Sequence, residues 1–312
     1  MKKTVVLYGI LAILLLGCVS YFNAPYPDDI RERSPGTINY DIVIPDILMP
    51  VAAGFAVEEN EYARIDHSNK QDGYIMVSYI EETYVSVKVL INSPDDTEYQ
   101  YSLNPYGDFE AFPLSEGNGT YEISVYKNID GSQYISVMTT TIDVVLINEY
   151  APFLRPNQIV NFHKDNAVVR KAAELTFGMN LYMEKISAIY QYIIDNISYD
   201  TELAESVESG YIPNIDRVLA RGQGICFDYA AVMTAMLRSQ GIPTKLVTGQ
   251  TGEIFHAWIR VYHPDDGWLD DLIFLNAYQW NLIDPTYGAN IDSEIVSIYI
   301  GDGNNYVDLY YY

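Results

Sequence analysis

The alternation of apolar and polar positions changes period near residue 150. From about 55 to 147 the period is two. "GYIMVSYI" (73–80), "YVSVKVLI" (84–91), "EYQYSL" (98–103), "TYEISVYKNI" (120–129) and "QYISVMTTTIDVVL" (133–146) favour β-branched and aromatic residues, with Gly, Asn, Asp and Pro between them. Such runs predict short antiparallel strands joined by tight turns. Beyond the proline-bearing connection "APFLRPNQIVNF" (151–162) the spacing becomes helical. "DNAVVRKAAELTFG" offers Asp165 as N-cap and Gly178 as a stop. In "NLYMEKISAIYQYIIDNISYD" (180–200), Met183, Ile186, Ile189, Ile193 and Ile197 fall on one stripe. A short helix, "NIDRVLAR", follows from Asn214, then a longer one from about Cys226, then the strands "TKLVTGQ" (244–250), "HAWIRVY" (256–262) and "WNLIDPT" (280–286).

The expected fold class is therefore α+β: an N-terminal antiparallel β-sandwich, Ig-like in its strand lengths and turn spacing, followed by a core with helices first and a sheet after. The 312 residues are enough for two domains, and a 49% hydrophobic composition excludes a disordered chain. The formal net charge is −24, from 42 acidic residues against 18 Lys and Arg. That surface repels phosphate backbones, so no nucleic-acid partner is expected. A basic polymer, a peptidyl amine or a cell-wall amine is a more natural partner, but the stronger reading is that the acidity mainly keeps the protein soluble.

At the N-terminus, "MKK" is a basic n-region and "TVVLYGILAILLLG" (4–17) an apolar h-region that runs into Cys18. The ending Leu15-Leu16-Gly17-Cys18 resembles a bacterial lipobox, although Leu16 is not the commonest residue at its position. That resemblance implies a lipoprotein signal peptide over 1–18, cleavage before Cys18 and acylation of Cys18, each buried methylene adding about 0.8 kcal/mol of anchoring. The alternatives are an uncleaved signal anchor or a signal peptide cut elsewhere. A polar linker over 19–50 would hold the folded part, extracytoplasmic and lipid-anchored, away from the bacterial cell membrane. "DIVIPDILMPVAAGFAV" (41–57) is too broken by prolines and acids to span a bilayer.

The chain has two cysteines. With Cys18 lipidated, Cys226 has no disulfide partner, and a free extracytoplasmic thiol asks for an explanation. It stands in "GQGICFDYAAVMTAMLRSQGIP" (222–243), at the start of the longer helix, which Gly241 and Pro243 terminate. Unpaired N–H groups at a helix start favour a thiolate over a thiol, and glycines at 222 and 224 leave it accessible. Taken alone, the residue would be an inert core cysteine. A reactive thiol needs a base, and the base an orienting group. Of four histidines, His256 begins a strand, with Trp258, Arg260 and Tyr262 on its face. If "HAWIRVY" and "WNLIDPT" pair antiparallel, Asp284 reaches His256 and fixes its tautomer. "DPT" is also a turn starter.

"GICFDYAAVMTAMLRSQGIPTKLVTG", "HAWIRVY" and "WNLIDPTY" together resemble the transglutaminase-like superfamily, over about Ile186 to Tyr287. "NISYD" and "GYIPNIDRVLARGQGIC" look like its bacterial extracytoplasmic members, and the β-domain looks like the sandwich that precedes their core. The resemblance implies a papain-like α+β core with a Cys-His-Asp triad, falling on Cys226, His256 and Asp284. The expected chemistry is thiol acyl transfer on peptide or protein amides through a thioester, as a cysteine peptidase or amidase or as a protein-glutamine transamidase. The alternative is a non-catalytic surface binding module with a retained triad. The Cys226 N–H is a natural oxyanion donor, and Gln223 is a candidate for the second. Of Tyr229, Trp258 and Trp280, Trp258 is the best candidate to wall a substrate groove. Asp228 is expected to cap the helix start. No cofactor or metal is expected, since the acids and histidines show no ligand spacing. The β-sandwich is assigned to 51–148 and the transglutaminase-like domain to 149–312. The tail "IDSEIVSIYIGDGNNYVDLYYY" (291–312) reads as either a last strand or a substrate-facing flap.

Overall fold

The period-two runs form eight strands: β1 (Val57–Glu59), β2 (Ala63–Asp66), β3 (Tyr74–Tyr79), β4 (Val87–Asn92), β5 (Glu98–Leu103), β6 (Glu110–Pro113), β7 (Gly119–Asp130) and β8 (Gln133–Val144). The computed structural model describes residues 42–81, 85–264, 267–269, 273–276, 279–290 and 304–312. The signal segment, Cys18 and the expected linker up to residue 41 lie outside the described residues. Two antiparallel sheets result, in the orders β1-β2-β3-β6 and β5-β4-β7-β8. Strand β5 shows why: Tyr99, Tyr101 and Leu103 are buried while Glu98, Gln100 and Ser102 are exposed. The register sets Val89 against Tyr101 on one side and Val125 on the other. Ile75 and Val77 of the first sheet and Val89 and Ile123 of the second belong to one core, which makes the pair a sandwich.

The second half carries the helices α1 (Ala167–Leu175), α2 (Tyr182–Asn196), α3 (Thr201–Ser206), α4 (Ile215–Arg221), α5 (Cys226–Ser239) and α6 (Pro285–Asn290). Its strands are β9 (Ser198–Tyr199), β10 (Gln223–Gly224), β11 (Thr244–Thr251), β12 (Ile254–Tyr262), β13 (Gly267–Leu269), β14 (Ile273–Leu275), β15 (Trp280–Ile283) and β16 (Tyr306–Tyr311). Helix α5 is buried on every side from Asp228 to Ser239, as its nearly continuous run of small and apolar residues requires. It lies on the antiparallel sheet β15-β12-β11-β16, where Ala230, Met233 and Leu237 share a core with Leu246, Ile259, Val261 and Ile283. The stripe of α2 contributes Ile186, Ile189 and Ile193 to the same core. The chain is α+β, with helices first and a sheet after.

Two local features differ from the sequence reading. Helix α1 is preceded by Asn166, not Asp165, and its own cap turns back to accept from the His163 N–H at 2.7 Å. The orphan N–H of Val168 goes instead to Asp216 of α4, at 3.0 Å, because two helix starts meet there. The tail, open between strand and flap, is a strand over 306–311: β16 pairs antiparallel with β11, while 291–303 lie outside the described residues. Its tyrosines also reach the sandwich. Tyr310 meets Tyr99 edge-on at 5.4 Å, Tyr312 meets Tyr101 at 6.3 Å, and the Tyr311 N–H donates to the Tyr99 hydroxyl at 3.1 Å. Arg238 is buried close by and donates to the carbonyls of Thr244 and Arg155, each at 2.8 Å, and of Tyr312. Among the described residues no helix is long and apolar enough to cross a membrane.

Candidate active site

Cys226 is the first residue of α5 and partly exposed. A short parallel pairing of β10 with β9 delivers it there, and Gly222, left-handed at φ 62°, closes α4 just before. Gly224 then passes so close to Asp228 that a Cβ would sit 2.6 Å from the Asp228 Cβ. That approach lets the Asp228 carboxylate, buried, accept from the Ile225 N–H at 2.9 Å and from the Tyr211 hydroxyl at 2.7 Å. Asp228 therefore holds the helix start and the loop over it; burial pushes its carboxyl up, against the pull of those two donors.

His256 sits on β12 opposite Gly249 of β11. Its Nε2 is 2.7 Å from Asp284 Oδ2, and the Cys226 sulfur is near enough to raise the ring's affinity for a proton. With Nε2 committed to the carboxylate, Nδ1 is the nitrogen left for the sulfur. The antiparallel register Ile259↔Ile283 and Arg260↔Leu282 carries β15 to its end, and Asp284 follows it directly. Asp284 is fully buried. Its Oδ1 accepts from the N–H groups of Thr286 and Tyr287, both at 3.0 Å, and so caps α6. Its Oδ2 accepts from His256 and from the Tyr306 hydroxyl, at 2.9 Å. The turn-starter and orienting readings of "DPT" are thus both fulfilled by one carboxylate. Burial alone would push His256 down. The hydrogen bonds and charges of Asp284 and Cys226 outweigh it and hold the ring at about 10. The Tyr287 ring stacks on the imidazole at 4.9 Å.

Cys226 and His256 open onto a cavity of about 460 Å³, with Asp284 buried behind them. The rest is mostly apolar and aromatic: Tyr199, Phe227, Phe255, Tyr310 and Tyr312, with Glu208 as a carboxylate. Burial and the nearby Cys226 sulfur push the Tyr199 hydroxyl up, which keeps it protonated.

The groove residues differ from those expected. Trp258 is fully buried, packed between His256 at 6.1 Å and Tyr306 at 4.9 Å, so it supports the imidazole from behind and lines no groove. Sharing a face with His256 put it under the ring because β16 covers that face. Tyr229 is also buried, its hydroxyl donating to the Ile197 carbonyl at 2.6 Å. The side chain of Trp280 lies outside what the structure describes. Gln223 is exposed and lines a separate cavity of about 110 Å³ with Tyr211, Arg217, Arg221 and Asp228. Neighbouring strand residues point to opposite sides, and the side toward Asp228 is taken by Gly224. Gln223 is therefore not brought to the sulfur. Phe227 and Phe255, each beside a reactive residue in sequence, and the alternate tyrosines of the tail were the available signals for the wall. Among the described residues no group of three or more His, Cys, Asp or Glu is arranged to hold a metal.

Residues 170–270 match the family model of the Transglutaminase-like superfamily, a segment that contains Cys226 and His256 and ends before Asp284. The uncharacterized protein YebA of Bacillus subtilis (strain 168) is 26% identical over 199 residues, covering 54% of this chain and 26% of its own length. A protein-glutamine gamma-glutamyltransferase of Pseudomonas aeruginosa is 33% identical over 78 residues, 20% of this chain and 10% of that protein. The chain thus spans about a quarter or less of the curated relatives it matches. A crystal structure from Cytophaga hutchinsonii, provisionally described as a cysteine protease, aligns over 82% of this chain and 73% of its own at 15% identity, with a TM-score of 0.39.

Proposed function

We propose, from the premise that residues 170–270 form a transglutaminase-like domain, that this protein is a thiol acyl-transfer enzyme acting on peptide or protein amides. The observation that carries the reading is the placement of Cys226 and His256 side by side in one cavity wall, with His256 hydrogen-bonded to the buried Asp284 behind it. His256 takes the thiol proton and the sulfur attacks the amide carbonyl carbon. The tetrahedral oxyanion meets the Cys226 backbone N–H, an orphan donor at the first position of α5. As the C–N bond breaks, His256 returns its proton to the departing amine and a thioester remains. Water resolves it in a hydrolase, a second amine in a transamidase. The excess of acidic residues suits a cationic acceptor such as a lysine-type or cell-wall amine. Acylation of Cys18 would keep the enzyme extracytoplasmic at the bacterial cell membrane.

The test is alkylation by iodoacetamide at pH 7 of wild type, Cys226→Ala and His256→Ala. Cys226 is expected to label in the folded protein, and His256→Ala to slow it by at least about tenfold. A thiol that labels only after unfolding sinks the enzymatic reading and leaves a binding module. Incorporation of a labelled amine into a glutamine-containing protein, against cleavage alone, separates transfer from hydrolysis.

A further inference from the structure

We infer that Tyr306 is a positioning residue of this site, acting through Asp284 on His256; the inference rests on the acyl-transfer reading above. Strand β16 brings it there. Tyr306 pairs with Thr251 at the end of β11 remote from Leu246, and its ring packs edge-on against Trp258 at 4.9 Å. It is buried, and its hydroxyl donates to Asp284 Oδ2 at 2.9 Å. That is the same oxygen that receives His256 Nε2 at 2.7 Å. The carboxylate is thereby held by four donors: two backbone N–H groups on Oδ1, the imidazole and the phenol on Oδ2. Neither the carboxylate plane nor the ring can turn without breaking one of them.

The second consequence is electrostatic. A donor that shares Oδ2 takes part of the carboxylate's charge for itself and leaves less for the imidazolium. His256 must hold a proton during attack and give it up to the departing amine. A ring bound too tightly to Asp284 is a poor acid in that second step. The groups facing His256 from the elements around it are Cys226 of α5, Asp284 after β15, Tyr287 of α6 and, through Asp284, Tyr306 of β16. Of these, Tyr306 is the side chain that shares Oδ2 with the ring, so its hydroxyl can be removed while both partners of the ring stay in place. It stands in the tail, outside the family-matched segment 170–270, as Asp284 does.

The experiment uses the full chain with labelled histidine, His256 being assigned by His256→Ala. Tyr306→Phe keeps the ring on Trp258 and removes only the hydroxyl. The expected result is a His256 titration midpoint raised by about one unit, the scale of one hydrogen bond to a charged group, and a Nε2–H proton shifted downfield. Tyr311→Phe is the matched control: it removes a hydroxyl of the same strand that donates to Asp308 at 3.1 Å, and should leave both signals unchanged. In wild type, the Tyr306 hydroxyl proton and the His256 Nε2–H should show a mutual Overhauser effect, since both point at one oxygen; this reading needs no variant to fold. A folded Tyr306→Phe protein with an unmoved His256 midpoint, or no such Overhauser effect in wild type, overturns the role of Tyr306. If wild-type Cys226 alkylation ignores His256→Ala, it is the acyl-transfer reading that fails.

Discussion

Replacing Asp284 by Asn separates the two duties of that side chain. In the wild type His256 stands at about 10 against an ordinary 6.5, a difference of about 3.5 units or roughly 5 kcal/mol. Burial pulls the other way, so the favourable interactions must exceed that gap. Among the favourable interactions the hydrogen bond to Asp284 is the largest. Losing one hydrogen bond to a charged group, about 2 to 3 kcal/mol, corresponds to a factor of about 30 to 150. An Asn can still accept from the Thr286 and Tyr287 N–H groups, so the α6 cap survives. Its amide nitrogen then faces Nε2 as a donor, which drives the neutral ring to the tautomer with Nδ1 protonated. That nitrogen can no longer accept the thiol proton. The expected outcome is a folded protein whose Cys226 reacts with iodoacetamide at pH 7 about 30- to 150-fold more slowly. Its unfolding free energy should stay within about 1 kcal/mol of wild type, whereas Asp284→Ala should lose about 1 kcal/mol more by removing the cap. An Asn variant that alkylates at the wild-type rate would refute the coupling of Asp284 to the sulfur.

Further tests address the frame around the site. Gly249→Ala places a Cβ 2.1 Å from the Val307 carbonyl oxygen, so β16 must part from β11 there; the variant should reproduce the His256 midpoint shift of Tyr306→Phe, and an unshifted midpoint would contradict it. Arg238, pushed down to about 9 by burial, holds three carbonyls, and Arg238→Ala should cost about 3 kcal/mol or more in urea denaturation; a loss under about 1 kcal/mol would show those carbonyls finding other donors. Because His256 is raised, its contribution to stability is complete below about 6.5 and lost as pH climbs through about 10. Lys245, lowered by burial to about 8, acts oppositely: the unfolded chain binds its proton more readily up to 10.5, so stability from that residue rises with pH. The difference in stability between wild type and His256→Ala removes the Lys245 contribution, and it should shrink between pH 6.5 and about 10.

The proximity of the candidate residues was legible because each stands where local rules speak loudly. Cys226 opens a helix behind two glycines, His256 lies on β12, and Asp284 follows the end of its neighbour β15. The strands of the sandwich were legible for the same reason, alternating cleanly in β4 and β5. What local rules cannot convey is which distant segment covers a face. Trp258 shares the side of His256, and only the arrival of β16 turns that side from groove into core. Gln223 was misjudged because its direction depends on a two-residue pairing with β9. The cap of α1 comes from Asp216, 48 positions beyond the Val168 it serves, and no window around Asn166 contains it. Tyr306 is one of 29 tyrosines, with no neighbour in sequence that marks it out.

Two backbone amides, those of Thr286 and Tyr287, are tied to the same carboxylate that grips His256. Their exchange with deuterated solvent therefore measures how firmly that carboxylate is seated. A substrate, an inhibitor or an acylated sulfur that tugs the imidazole need not touch α6 to be felt at those two positions. Under the proposed reading, those two amide protons report on the candidate site while taking no part in the reaction, and reading them requires no knowledge of a substrate.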